Sequence, residues 1–219
     1  MSPKDKTRPT NAGSKRVGSA QEKPPARTAA EPSRAALTVL TIGHSRRSIE
    51  EFLSILAAHG VERLVDVRSI PKSRRVPQFN SDALAASLRA HGIGYVHLQT
   101  LGGRRHAKKD SVNTGWRNAS FRGYADYMAT SEFRAGLERL LALARERRTV
   151  IMCAEAVPWR CHRSLIGDAL LIGGVQVEDI MSASSRREHL LTPFAKVDGL
   201  AISYPGENET PRQAKLALS

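Results

Sequence analysis

The chain has 219 residues, enough for one ordinary domain and too few for two. A hydrophobic share of 41% allows a buried core, two cysteines exclude a disulfide-built scaffold, and an aromatic share of 5% argues against a stacking platform for single-stranded nucleic acid. The net charge of +13 favours anionic partners, either nucleic acid or small phosphate-bearing molecules.

Residues 1–36 are rich in Ser, Pro, Ala, Lys and Arg, with eight basic and three acidic side chains. They lack the apolar stretch of a secretory signal and cannot bury enough surface to offset ordering entropy. A disordered basic arm is expected there, followed by a single α/β domain over 37–205 and a flexible tail over 206–219. No apolar run is long enough to span a bilayer, so no membrane partner and a cytoplasmic location are expected.

Within the domain, Thr38 to Ile42 is a short apolar run ending at Gly43 and predicts a buried strand. Ser48 with Glu51 three residues later forms a capping box, and Ile49, Phe52, Leu53 and Leu56 share one helical face. Arg63 to Arg68 predicts a second strand, Ser81 to His91 a helix, and Gly94 to Leu98 a third strand. A polar, basic loop follows from about Gln99 to Ser120. Two helices come next, marked by Tyr124, Tyr127 and Met128 and then by Leu137, Leu140, Leu141 and Ala144. Thr149 to Cys153 predicts a fourth strand, Leu165, Ile166, Ala169 and Leu170 a helix, and Val175 to Ile180 a fifth strand.

Strands alternating with helices imply parallel pairing through right-handed crossovers. The expected fold is α/β: a three-layer sandwich with a mostly parallel sheet of about five strands and helices on both faces. Ligands of such folds bind at the carboxyl ends of the strands. The loops there hold Gly43-His44-Ser45 after the first strand, Asp66-Val67-Arg68 through Ser73-Arg74 after the second, and Gly102-Gly103 after the third. Cys153-Ala154-Glu155 and Cys161-His162-Arg163 follow the fourth. Arg offers a planar fork matched to phosphate, and a helix N-terminus adds N–H donors.

Three of these segments carry a family resemblance. Thr41-Ile42-Gly43-His44-Ser45, Asp66-Val67-Arg68-Ser69-x-Pro71-x-Ser73-Arg74, and Cys153-x-Glu155 followed by Cys161-His162-Arg163-Ser164 resemble the domain-of-unknown-function family 488. The resemblance runs roughly from Leu40 to His189 and implies a small single α/β domain of bacterial type. It brings no reaction with it, and it leaves both tails outside.

The residues themselves divide into three groups. His162, Glu155, Cys161 and His44 are candidates for proton transfer or nucleophilic attack; a cysteine at a helix N-terminus beside Arg or His has its thiolate stabilised. Arg68, Arg74, Arg163, Ser45 and Ser73 are candidates for holding an anion. Arg163, in the first helical turn, is expected to reach the strand ends beside free backbone N–H groups, and its removal to cost little stability. Asp66, inside an apolar strand, requires a partner and reads as structural, as do Cys153, Gly102 and Gly103. Seven residues separate Cys153 from Cys161, wider than the usual zinc spacing, so no metal and no cofactor are expected. The reading that follows is an enzyme, a hydrolase or transferase, on a nucleotide or nucleic-acid substrate. The alternatives are a non-catalytic nucleotide or nucleic-acid binding module and a structural protein holding a metal through its Cys/His cluster. The oligomeric state is left open.

Overall fold

The computed structural model describes residues 37–206. The expected basic arm, and the expected tail beyond Gly206, lie outside the described residues. Five parallel strands form the sheet's body: β1 (Thr38–Gly43), β2 (Arg63–Asp66), β3 (Gly94–His97), β4 (Thr149–Cys153) and β5 (Gln176–Ser182). A sixth, β6 (Ser185–Glu188), runs antiparallel beside β5, and the order across the sheet is β3-β2-β4-β1-β5-β6. A separate hairpin pairs β7 (Lys196–Asp198) with β8 (Ala201–Ser203). Neither β6 nor the hairpin was expected. β6 reads Ser-Arg-Arg-Glu, exposed throughout, and so has no apolar alternation to betray it.

The helices are α1 (Ile49–Ala58), α2 (Ser81–Ala90), α3 (Ala119–Met128), α4 (Ser131–Glu146) and α5 (Arg163–Ile172). Ser48 caps α1 as its sequence implies, its hydroxyl accepting from the Glu51 N–H. Thr130 and Asn118 cap α4 and α3 in the same way. Successive strand residues face opposite sides, which divides the core in two. Leu40, Ile42, Leu64, Val150 and Met152 pack against Phe52 and Leu56 of α1 and Leu84 and Leu88 of α2. Val39, Val65, Ile151 and Val177 pack against Tyr124 of α3, Leu140 of α4 and Leu165 and Ile166 of α5. The molecule is therefore an α/β sandwich with helices on both faces of a mostly parallel sheet. No helix among the described residues is long and apolar enough to cross a membrane.

This topology fixes where the chain opens. β4 lies between β2 and β1, although it follows both in sequence. The chain leaves β1 and β2 towards α1 and α2 on one face, and leaves β4 towards α5 on the other. Departures to opposite faces part the loops at the carboxyl ends of β2 and β4, the place where open α/β sheets form their crevice.

Candidate functional site

A cleft of about 480 Å³ occupies that position. Its wall is built by Arg68, Ser69 and Lys72 after β2, Gly103 and Arg104 after β3, Ser120 and Phe121 at the start of α3, and the 153–162 segment after β4. Four cationic side chains line it, Arg68, Lys72, Arg104 and Arg160, against one carboxylate, Glu155.

The floor is a cluster of two thiols and an imidazole. Cys153 is the last residue of β4, and Cys161 and His162 immediately precede α5. The seven intervening residues turn back through a short 3-10 segment, Pro158–Arg160, so a wide separation in sequence becomes a contact in space. The Nδ1 of His162 lies 3.6 Å from the Cys161 sulfur and 3.9 Å from that of Cys153. The other ring nitrogen, Nε2, is 2.9 Å from the Val67 carbonyl and donates to it. Gly103 lies against the same ring: a Cβ there would collide with Nδ1, so only glycine lets the 102–104 turn approach. Gly102 packs on Ser69 in the same manner.

The two thiols titrate as a pair. Cys153 donates to Cys161 and is pushed well above the ordinary thiol range by that bond and by burial. Cys161 is pulled well below it, first by the Cys153 bond, against burial, and then by His162 and Arg163.

Arg163 lies beneath the cleft rather than in its lining. It is 1% exposed, and its guanidinium donates to the Thr41 hydroxyl at 3.0 Å and to the Glu155 carbonyl at 2.7 Å, with Nε buried and unpartnered. The expectation that its removal costs little stability is corrected by this burial. The expected free N–H groups of α5 are also engaged: those of Ser164 and Leu165 donate to the carbonyls of Cys161 and His162, through the turn that precedes the helix. Gly43 passes so close to the Glu155 carbonyl that no side chain fits there.

Arg68 and His44 form a supporting corner. Asp66 is fully buried and receives Arg68 through Nε and NH2 at 2.9 and 2.6 Å, together with the Tyr95 hydroxyl at 2.9 Å. The Arg68 NH1 lies 3.4 Å from His44 Nε2. His44 stacks on Phe79 and donates from Nδ1 to the Ser45 carbonyl. Burial pushes its pKa down to about 4, with Arg68 adding to that and the Ser45 bond opposing it. It is a neutral prop for Arg68 at physiological pH, outside the cleft lining. Ser45, at φ 54, donates its N–H to the Ala154 carbonyl and so fastens the β1 loop to the loop after β4. Ser73 is spent on its own turn, its hydroxyl accepting from the N–H groups of Arg75 and Val76. Arg74 is exposed on that turn, away from the cleft lining.

The cleft thus brings together Cys153, Cys161, His162, Glu155, Arg68 and Gly103 and leaves His44, Arg74, Arg163, Ser45 and Ser73 outside its lining. Lys72, Arg104 and Arg160 are not among the anion-holding candidates named above, because exposed loop charges resemble a solvated face until the fold places them around one cleft. The long basic loop is pinned, since Asp126 of α3 accepts from the Lys108 N–H, the Ser111 hydroxyl and the Asn113 amide.

A second polar cluster was also missed. His189 bridges Asp168 of α5 at 3.1 Å and Asp179 of β5 at 3.3 Å. Asp168 also receives the Tyr204 and Thr192 hydroxyls and the Thr192 N–H, while Asp179 receives the Thr41 hydroxyl. The signal was present: Asp168 stands among Leu165, Ile166 and Ala169 on a buried helix, where a carboxylate requires partners.

Comparison with curated proteins and with solved structures found no match. A family model, described as Domain of unknown function DUF488, matches residues 48–170, just over half of the chain and the stretch that supplies every cleft-lining side chain. With that match joined to the Arg68 and Cys161-His162-Arg163 segments that build the site, the chain belongs to the DUF488 family.

Proposed function

We propose that the protein is an enzyme, a hydrolase or transferase, that takes a phosphate-bearing substrate of nucleotide type into the basic cleft and acts on it through the Cys153–Cys161–His162 cluster. The observation that carries this reading is the placement of two thiols and an imidazole at the floor of a cleft walled by Arg68, Lys72, Arg104 and Arg160. A purely electrostatic docking surface needs the cations but gains nothing from buried thiols beneath them. Arg68, oriented by Asp66 and His44, presents a fixed guanidinium edge, whereas Lys72, Arg104 and Arg160 reach in from exposed positions. Glu155, on the rim, is the acid–base group that this cleft offers, because both ring nitrogens of His162 are engaged, Nε2 with the Val67 carbonyl and Nδ1 with the two sulfurs.

The experiment is ligand-induced stabilisation of the full chain. Phosphate and a nucleotide series are compared with chloride at equal ionic strength, so that general salt effects cancel. A ligand present at a hundred times its Kd stabilises by about 2.7 kcal/mol. Arg104→Ala and Arg160→Ala should lose most of that gain. Cys161→Ser should keep the binding and lose turnover of the same ligands. Equal responses from wild type and both arginine variants would dismiss the cleft as the anion site. Binding with no turnover in wild type would favour the non-catalytic module.

A further inference from the structure

We propose that Cys153, Cys161 and His162 form a binding site for one soft divalent cation of the zinc class, with its fourth coordination position open to the basic cleft. The inference stands on the geometry of the three donors and does not depend on which substrate the cleft takes.

The distances fit. Zinc binds thiolate at about 2.3 Å and imidazole at about 2.0–2.1 Å, and a tetrahedral arrangement sets such sulfur and nitrogen atoms about 3.5 Å apart. His162 Nδ1 lies 3.6 Å from one sulfur and 3.9 Å from the other, and all three donor atoms fall within 4.8 Å of one another. A modest contraction around an ion brings them to bonding distance without moving the backbone elements that hold them.

The imidazole is already oriented as a ligand. Because Nε2 donates to the Val67 carbonyl, the hydrogen sits on that nitrogen and the Nδ1 lone pair faces the two sulfurs. A ring nitrogen tied to a backbone carbonyl is the usual support behind a metal-binding histidine. Gly103 on one side and the Tyr124 ring 5.0 Å away hold the ring in this attitude. Both thiols are buried, on rigid positions at a strand end and a helix start.

Donor chemistry selects the ion. Two thiolates and an imidazole favour zinc and similar soft cations over magnesium or calcium, which take oxygen ligands. Two thiolates also neutralise a dication, so the site gains little net charge. No fourth His, Cys, Asp or Glu joins the three among the described residues. Three protein ligands beside an open cleft is the pattern of a site whose fourth position takes water or substrate. On the anion-site reading above, that fourth ligand is a water or a substrate oxygen held by the surrounding cations.

The test is a cobalt titration of the full chain, made without a polyhistidine tag, reduced, stripped with chelator and kept free of phosphate. One Co(II) per chain should bind, with thiolate-to-cobalt charge-transfer absorption in the near ultraviolet and tetrahedral bands in the visible, both abolished by one equivalent of Zn(II). Cys153→Ser and Cys161→Ser should each weaken binding by more than the roughly 100-fold seen on losing a supporting residue. Arg160→Ala should bind cobalt as wild type does, which separates this site from the anion reading. Should a serine variant fail to fold, competition between wild type and a chromophoric zinc chelator gives the stoichiometry and affinity directly. Folded, reduced wild type without the thiolate band, or a band surviving in both serine variants, would overturn the proposal.

Discussion

Two polar clusters flank Arg163, and they are finished differently. Under α5, His189, Asp168, Asp179, Thr192, Tyr204 and Thr41 satisfy one another: Asp168 alone accepts from four donors, and both nitrogens of His189 face carboxylates. At the carboxyl ends of β2 and β4, by contrast, Cys153, Cys161 and His162 share donors sparingly, and Lys72, Arg104 and Arg160 line the cleft from exposed positions. A closed network of buried charge serves the fold, because any member removed leaves a partner stranded. An open one leaves bonding capacity that the fold itself does not use. Arg163 joins the two, through Thr41 to Asp179 on one side and through the Glu155 carbonyl to the cleft rim on the other. The difference teaches that two histidine-containing clusters in one small domain are told apart by how far their polar atoms are satisfied within the fold, not by their composition.

The largest effect should come from breaking the closed cluster. Asp168→Asn removes the carboxylate that faces His189 and replaces an acceptor atom with an amide donor opposite the Thr192 or Tyr204 groups. A loss of about 3–5 kcal/mol is expected, read from urea unfolding midpoints. A loss below about 1 kcal/mol would mean that the network is not closed in solution.

Titration tests the same contrast, with opposite signs for two buried histidines. Burial acts to lower the pKa of His189, but its bonds to Asp168 and Asp179 push it up to about 9. The raised value means a stabilising contribution that is fully present below pH 6.5 and is lost as pH rises through about 9. The shift corresponds to about 3 kcal/mol. His44 is pushed down to about 4, so the fold tolerates it neutral and weakens as pH falls from 6.5 through about 4. Unfolding free energy measured against pH should therefore fall on both limbs. His189→Gln should flatten the alkaline limb and leave the acid one.

Gly103→Ala probes the cleft's floor. The added methyl meets the His162 ring, and overpacking of this kind costs about 1–3 kcal/mol. Chemical denaturation should show that loss, and the cobalt band should weaken with it as the imidazole is displaced. A neutral result would show that the 102–104 turn yields freely and does not hold His162.

The smallest effect belongs to the rim. Arg104→Ala and Arg160→Ala, both exposed, should change ligand-free stability by no more than about 0.5 kcal/mol. Set beside Asp168→Asn, they would mark the two extremes of the comparison: charges that hold the fold, and charges that await a partner.

The sequence by itself determined the five parallel strands and their helices, though not β6 or the β7–β8 hairpin, and the strand ends at which the cleft opens. Periodicity exposes β1, α1, β2 and β4, because a strand or helix buries a face at its own repeat, and capping at Ser48 is a contact over three residues. Alternation of strands and helices implies parallel pairing, and parallel pairing directs attention to the carboxyl-end loops that do line the cleft. What only the tertiary structure decided is where β4 goes. Its insertion between β2 and β1 brings Val67 to His162 and the turn at Gly103 over the same ring, contacts 95 and 59 residues apart in sequence. Likewise, no local pattern marks Arg163 as buried while Arg160, three residues earlier, stays exposed. Local sequence encodes which face of an element is apolar; which polar side chains then meet depends on strand order, a property of the whole chain.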